Sequence, residues 1–349
     1  MASLLGLLLF SWLVHSVLYI PFIRLLYRWR FQRLNQTTRD AFNKRTPIFD
    51  KFHRGKAGTP VGGGLLIVLL TSVLFPLVLV GMRYFWVPVT SVYPMAAEIK
   101  IVLFSFISFA LLGLVDDIKK TFAWVPTKFL GLRLRHKLIL EIGLALVVSA
   151  WMVFDLKIDI FHVPFVGVLH MGLWYIPFAV FVIIAFANAF NITDGLDGLA
   201  SGVLMIALGA FWIISASILD TPLSVFIALW IGGVIAFLYF NVHPARIFLG
   251  DVGALSFGAT FAVVGLMLGK TAALAGIGAI FVIEVASSLI QLLSKKFLGR
   301  KVFAVAPLHL WLQYKGWPES KIVMRFWIVA IVFAIFGLWI ALLSRPPSL

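Results

Sequence analysis

The 349-residue chain contains no cysteine, which removes disulfides, thiolate metal ligands and thiol redox chemistry from consideration. Charge is scarce as well: 12% of residues are Asp, Glu, Lys or Arg, and only 14 of those are acids. With 62% hydrophobic residues, the chain lies well above the roughly 45–50% apolar usage of soluble domains. Apolar runs long enough to cross a bilayer recur along the whole chain, so residues 1–349 are expected to form a single polytopic membrane domain, with no room for a separate soluble one. No positive charge precedes the first run and further spans follow it, so it reads as a retained helix rather than a secretory signal. No fixed-period repeat or low-complexity tract interrupts the pattern. Chemistry falls to carboxylates, histidine and basic groups.

The hydrophobic runs predict ten transmembrane helices, near 2–27, 61–81, 97–115, 138–154, 173–190, 198–217, 223–241, 252–269, 272–294 and 326–344, in an all-α membrane fold. If the connections alternate sides, the odd-numbered loops carry 23 of the 29 Lys and Arg residues, while Arg83, Lys100, Lys157, Lys270 and Arg345 fall opposite. The positive-inside bias places the odd loops in the cytoplasm and both termini outside. The net charge of +15 follows from that bias and from attraction to anionic lipid headgroups; it is no argument for nucleic acid. The segment 155–172, rich in β-branched and aromatic residues, is expected to form a short hairpin on the outer surface.

Five of the acids, Asp116, Asp117, Asp194, Asp197 and Asp251, fall at predicted cytoplasmic edges of helices. Carboxylates gathered there repel one another unless a metal or cations neutralise them. Hard oxygen donors without cysteine favour Mg²⁺, with Mn²⁺ as the alternative. Plainer readings stand beside this one. Asp116-Asp117, followed by Lys119 and Lys120, is also what a solvated helix end looks like, and Asp251 suits a helix N-cap. The segment from Asn188 to Ala200 is the most informative. Asn188, Asn191, Asp194 and Asp197 recur every third position, as on one helical face, and glycines beside the aspartates permit close approach to a ligand. Such groups at the end of a membrane helix are costly unless they face a wet cavity.

In order, Gly113-Leu114-Val115-Asp116-Asp117, the stretch Asn188–Ala200, and Pro244-Ala245-Arg246-Ile247-Phe248-Leu249-Gly250-Asp251-Val252-Gly253 resemble the polyprenyl-phosphate N-acetylhexosamine-1-phosphate transferase superfamily. Lys56-Ala57-Gly58-Thr59-Pro60, Ala306-Pro307-Leu308-His309, Lys315-Gly316-Trp317-Pro318-Glu319 and Arg325-Phe326-Trp327 are similar to the phospho-N-acetylmuramoyl-pentapeptide transferase family within it. The resemblance implies ten helices, a homodimer in the bacterial cytoplasmic (inner) membrane, Mg²⁺, undecaprenyl phosphate and UDP-N-acetylmuramoyl-pentapeptide, with UMP released. It also implies roles. Asp116 and Asp117 match paired catalytic aspartates, and Asp251 matches the aspartate that binds Mg²⁺. Asn188, Asn191, Asp194 and Asp197 match a nucleotide-sugar loop, Asn241 and Phe248 match the nucleoside pocket, and Lys56, Lys120 and His309 match site residues.

The chain departs from the family pattern in places. Where three successive histidines are usual, it reads His309-Leu310-Trp311, then Leu312-Gln313 in place of an aromatic and a glutamate. Val61 replaces a threonine after Thr59-Pro60, and the stretch Thr121–Phe129 is unusual. UDP-N-acetylglucosamine or a related UDP-sugar is therefore the alternative donor. Two readings from other classes compete. A secondary transporter places ionisable residues near the bilayer midplane, where this chain has mainly Glu141 and Glu284. An inactive scaffold accounts for the lost histidines, but not for five retained aspartates.

Overall fold

The computed structural model describes residues 2–32, 54–122, 132–164 and 167–343. The unusual stretch after Thr121 lies, beyond Phe122, outside them. The helices run in the order α1 (Ala2–Arg28), α2 (Gly63–Tyr84), α3 (Met95–Phe122) and α4 (Leu134–Phe154). Strands β1 (Ile160–Val163) and β2 (Gly167–His170) follow. Then come α5 (Tyr175–Thr193), α6 (Leu199–Ser217), α7 (Thr221–Asn241), α8 (Gly250–Met267), α9 (Thr271–Ile277), α10 (Ala279–Phe297), α11 (Leu308–Tyr314) and α12 (Glu319–Leu343). Among the described residues, nine helices are long and apolar enough to cross a membrane, or ten if the bent pair α9–α10 is counted as one broken span rather than a re-entrant loop.

The all-α membrane architecture agrees with the sequence reading, with one change. The apolar run 272–294 is not one straight helix: it bends by 78° between α9 and α10. The bend falls at Gly278, where an added Cβ would stand 2.6 Å from the Phe186 ring, so close packing decides a break that hydropathy does not register. The expected hairpin is present, with β1 and β2 antiparallel and Ile160 opposite His170.

Helix α8 is buried at all of its positions, as expected of a helix apolar on every side that forms the core of a bundle. It packs against α3, α5 and α2, while α7 packs against α1, α6 and α2. Helices α1 and α12 turn most of their apolar surface outward, where lipid is the natural solvent. Small residues let the central helices approach closely. At Gly113 on α3 an added Cβ would lie 2.1 Å from the Asp251 carbonyl oxygen. That contact brings the acidic end of α3 against the start of α8.

Candidate functional site

Asp116 and Asp117 occupy the last turns of α3 and are buried. They are not a solvated helix end. Asp116 Oδ1 accepts a hydrogen bond from the Leu132 backbone N–H at 2.7 Å. Its Oδ2 faces the ammonium groups of Lys120 at 2.9 Å and Lys137 at 3.2 Å. Asp251 Oδ2 is held by the same two lysines, at 2.7 and 3.0 Å. Asp251 sits in the first turn of α8, one residue inside its start, so it does not cap the helix; Leu249 holds that position. Asp117 Oδ2 accepts from the Val252 N–H at 3.0 Å, satisfying one of the orphan amides at the start of α8. Gly250, at φ +79°, makes this junction feasible: a Cβ there would stand 2.6 Å from Asp117 Oδ2.

The helical-face reading of Asn188, Asn191, Asp194 and Asp197 holds only in part, because α5 ends at Thr193. Asn188 and Asn191 lie on its last turns, whereas Asp194 is its C-cap and Asp197 stands in the following turn. Asn188 donates to Glu141 Oε2 at 2.7 Å, and Asn191 is half-buried. Asp197 is tied to Lys56, whose ammonium is 2.7 Å from its Oδ1 and 2.6 Å from Glu319 Oε1. The other Asp197 oxygen faces His243 Nδ1 at 3.0 Å and accepts from the Ala245 N–H at 3.1 Å. Glu319 Oε1 also accepts the Asp197 backbone N–H at 2.6 Å. Four distant segments therefore meet in one network.

The two nearby aspartates titrate in opposite senses. Burial pushes Asp194 up to about 7, reinforced by the negative charges of Asp251, Asp117 and Asp197 and opposed by Lys56. Burial also works to raise Asp197, but the Lys56 ammonium and the hydrogen bonds from Lys56, Ala245 and His243 outweigh it and hold that carboxyl below the ordinary aspartate range. At Asp194 burial is the larger cause, and the surrounding acids Asp251, Asp117 and Asp197 add to it; hard carboxylate oxygens of this kind suit a divalent ion. A different trio, Asp197, His243 and Glu319, is the only group among the described residues whose candidate ligand atoms lie within 4.8 Å of one another. Lys56 already supplies a cation there, as Lys120 and Lys137 do at Asp251.

His309 is not a surface histidine. It is buried in α11, with Nδ1 2.9 Å from Glu284 Oε2. Asn241 is buried too, accepting from Gly198 N–H and Ser201 Oγ and donating to the Ile247 carbonyl. That arrangement braces the turn after Asp197 against the segment leading into α8. Phe248 is half-buried, and its backbone pairs with Pro60 and Gly63.

Sequence reasoning missed Lys137, His243 and the role of Glu319. Glu141 and Glu284, set apart as intramembrane exceptions, prove to be partners of site residues. An intramembrane carboxylate without an oppositely charged neighbour one turn away in its own helix calls for a partner elsewhere; that signal was available for Glu284, whereas Glu141 has Lys137 four residues before it in α4.

The Glycosyl transferase family 4 model matches residues 99–269, a span that holds all five aspartates. The chain is 35% identical over 285 residues to the phospho-N-acetylmuramoyl-pentapeptide-transferase of Caldanaerobacter subterraneus, covering 81% of this chain and 84% of that one. It is 33% identical over 328 residues to the Geobacillus enzyme of the same name, covering 93% of each. With the Rickettsia akari enzyme, also of that name, identity is 35% over 308 residues, covering 82% of this chain and 80% of the relative.

Proposed function

The chain belongs to the phospho-N-acetylmuramoyl-pentapeptide transferase family, and from that membership we propose that it moves phospho-N-acetylmuramoyl-pentapeptide from UDP to undecaprenyl phosphate, releasing UMP. It is a multi-pass bacterial membrane enzyme, a phospho-sugar transferase of peptidoglycan synthesis. The observation that carries the site assignment is the shared clasp of Asp116 and Asp251 by Lys120 and Lys137. It gathers carboxylates and cations from three helices at one end of the bundle. We place this end on the cytoplasmic face, with both termini outside and the whole chain acting as one transferase domain.

Phosphoryl transfer needs positioning and charge neutralisation more than covalent assistance. An oxygen of the polyprenyl phosphate attacks the β-phosphorus of the donor, the bond from that phosphorus to the bridging oxygen breaks, and UMP leaves with the electron pair. Mg²⁺, when bound at Asp251, supplies counter-charge to the diphosphate. Lys120 and Lys137 donate to phosphate oxygens and keep Asp116 and Asp251 in place, and Lys56 offers a third ammonium beside the nucleotide-sugar loop, Asn188 to Asp197. Asp116 orients the acceptor. A monophosphate whose second pKa is near 6 is already mostly ionised at neutral pH, so little proton removal is required. Asp117 anchors the start of α8, and Asn241 and Phe248 shape the nucleoside side. Two copies of the chain form a homodimer in the membrane.

The test is purified protein in lipid nanodiscs with Mg²⁺, undecaprenyl phosphate and either UDP-N-acetylmuramoyl-pentapeptide or UDP-N-acetylglucosamine, following UMP and the lipid product. The pentapeptide donor is expected to give the faster reaction. Faster turnover of UDP-N-acetylglucosamine would leave only the superfamily reaction standing.

A further inference from the structure

Helix α10 is apolar enough to be part of a membrane span, yet Glu284, Ser287 and Gln291 repeat along it at three- and four-residue spacing, which puts them on one face. Each of them grips the segment that leads into and begins α11. Gln291 accepts from the Phe303 N–H at 2.9 Å and donates to the Phe303 carbonyl at 2.7 Å. Ser287 Oγ accepts from the Leu308 N–H at 3.1 Å. Glu284 Oε1 accepts from the His309 N–H at 3.1 Å, and its Oε2 lies 2.9 Å from His309 Nδ1. Glu284 and His309 are 0% and 1% exposed. The other side of the imidazole faces the nucleotide-sugar loop, where a Cβ added to Gly195 would stand 2.4 Å from His309 Nε2.

We propose that Glu284 is a positioning residue that fixes the tautomer of His309, protonated at Nδ1, and so presents Nε2 as a hydrogen-bond acceptor toward the nucleotide-sugar loop. The chemistry is one of matching donors to acceptors. An ionised carboxylate only accepts, and a backbone N–H only donates. With one Glu284 oxygen taken by the His309 amide, the other requires a proton on Nδ1, which in the neutral ring leaves the Nε2 lone pair facing Gly195. A glutamine cannot reproduce this. Its single carbonyl oxygen is claimed by the backbone N–H, its NH₂ then faces Nδ1, and the ring must carry its proton on Nε2. An orienting carboxylate behind a histidine acts in this way in the serine-protease triad, where the amide replacement gives the wrong tautomer.

The inference rests on the transferase reading for its effect on turnover, but its structural half can be tested without activity. In ¹⁵N-histidine-labelled protein in bilayers at pH 8.5, with the His309 signals assigned by their loss in His309→Asn, NMR is expected to find Nδ1 protonated and Nε2 not. Glu284→Gln should reverse the two. Protonated Nε2 in the unaltered protein would overturn the proposal, and that measurement needs no variant to fold. In the lipid-product assay Glu284→Gln is expected to lower kcat roughly 10- to 100-fold, the scale of a lost hydrogen bond to a charged group, while eluting as the same monodisperse species. In the His309→Ala background the glutamine should cost nothing further, because Glu284 works through the ring. An equal loss in both backgrounds would make Glu284 a packing residue. Absence of product from the unaltered protein would count against the transferase reading and leave the tautomer result standing.

Discussion

Asp116 and Asp251, on different helices, share both of their ammonium partners: Lys120 lies 2.9 and 2.7 Å from their Oδ2 atoms, and Lys137 lies 3.2 and 3.0 Å away. Neither lysine belongs to one acid. Removing either therefore changes the balance at both carboxylates, which face each other across the α3–α8 contact.

Lys137 is the more buried of the two lysine side chains, at 12% against 22% exposure. Lys137→Gln keeps a donor, one bond nearer the backbone, and loses the charge. The transfer rate is expected to fall roughly 10- to 100-fold, on the scale of a charge-assisted hydrogen bond. Size-exclusion chromatography in detergent checks that the fold persists. A native rate in a folded Lys137→Gln protein would remove Lys137 from the site.

Asp251→Ala should abolish transfer and leave an inserted, folded protein, since it removes a carboxylate at a helix start and opens no apolar cavity. A second readout is independent of turnover. A ligand that binds only the native state raises its stability in proportion to binding, so Mg²⁺ should raise the melting temperature of the unaltered protein and not that of Asp251→Ala. An equal Mg²⁺ shift in both proteins would place the ion elsewhere.

Asp194 gives a pH dependence with a definite sign. Its carboxyl titrates near 7 in the folded protein, against about 4 in an unfolded chain. The folded state therefore holds the extra proton between those values, and stability falls as pH rises through that window. Asp194→Asn removes the penalty. In Mg²⁺-free buffer the variant should melt higher than the unaltered protein at pH 8 and equally at pH 4. A lower melting point at pH 8 would refute this electrostatic account.

The legible parts of the site were those written contiguously. Asp116-Asp117, the Asn188–Asp197 stretch and Gly250-Asp251 each announce themselves by several polar residues in an apolar background, and the structure brings Asp116 and Asp251 together and leaves Asp194 in the field of Asp251 and Asp117. Lys137 escaped because it ends the basic run Arg133-Leu134-Arg135-His136-Lys137, which reads as interfacial anchoring at the start of an apolar helix; only the Gly113 contact between α3 and α8 reveals its second carboxylate. The break at Gly278 escaped for a related reason. Hydropathy measures transfer to lipid, whereas the bend depends on the Phe186 and Phe261 rings packing against the glycine.

The missing histidines can now be treated one at a time. Position 310 is 3% exposed, so Leu310 points into the protein, while Trp311 is half-buried with Lys315 Nζ 5.6 Å from its ring centre. Restoring both histidines together is expected from sequence to tighten donor binding, but the two positions differ. Leu310→His puts an imidazole into an apolar setting, at a cost of about 1–3 kcal/mol for an unsatisfied polar group, and should lower the melting temperature without improving the donor KM. Trp311→His gives up a cation–π contact worth about 0.5–1 kcal/mol at an exposed site and regains a hydrogen-bonding ring. It should lower the KM for UDP-N-acetylmuramoyl-pentapeptide by about two- to tenfold, the scale of one neutral hydrogen bond, with kcat changing less. Steady-state kinetics on the two single variants separates them: an improved KM in Leu310→His and none in Trp311→His would mean that α11 presents its other face to the donor.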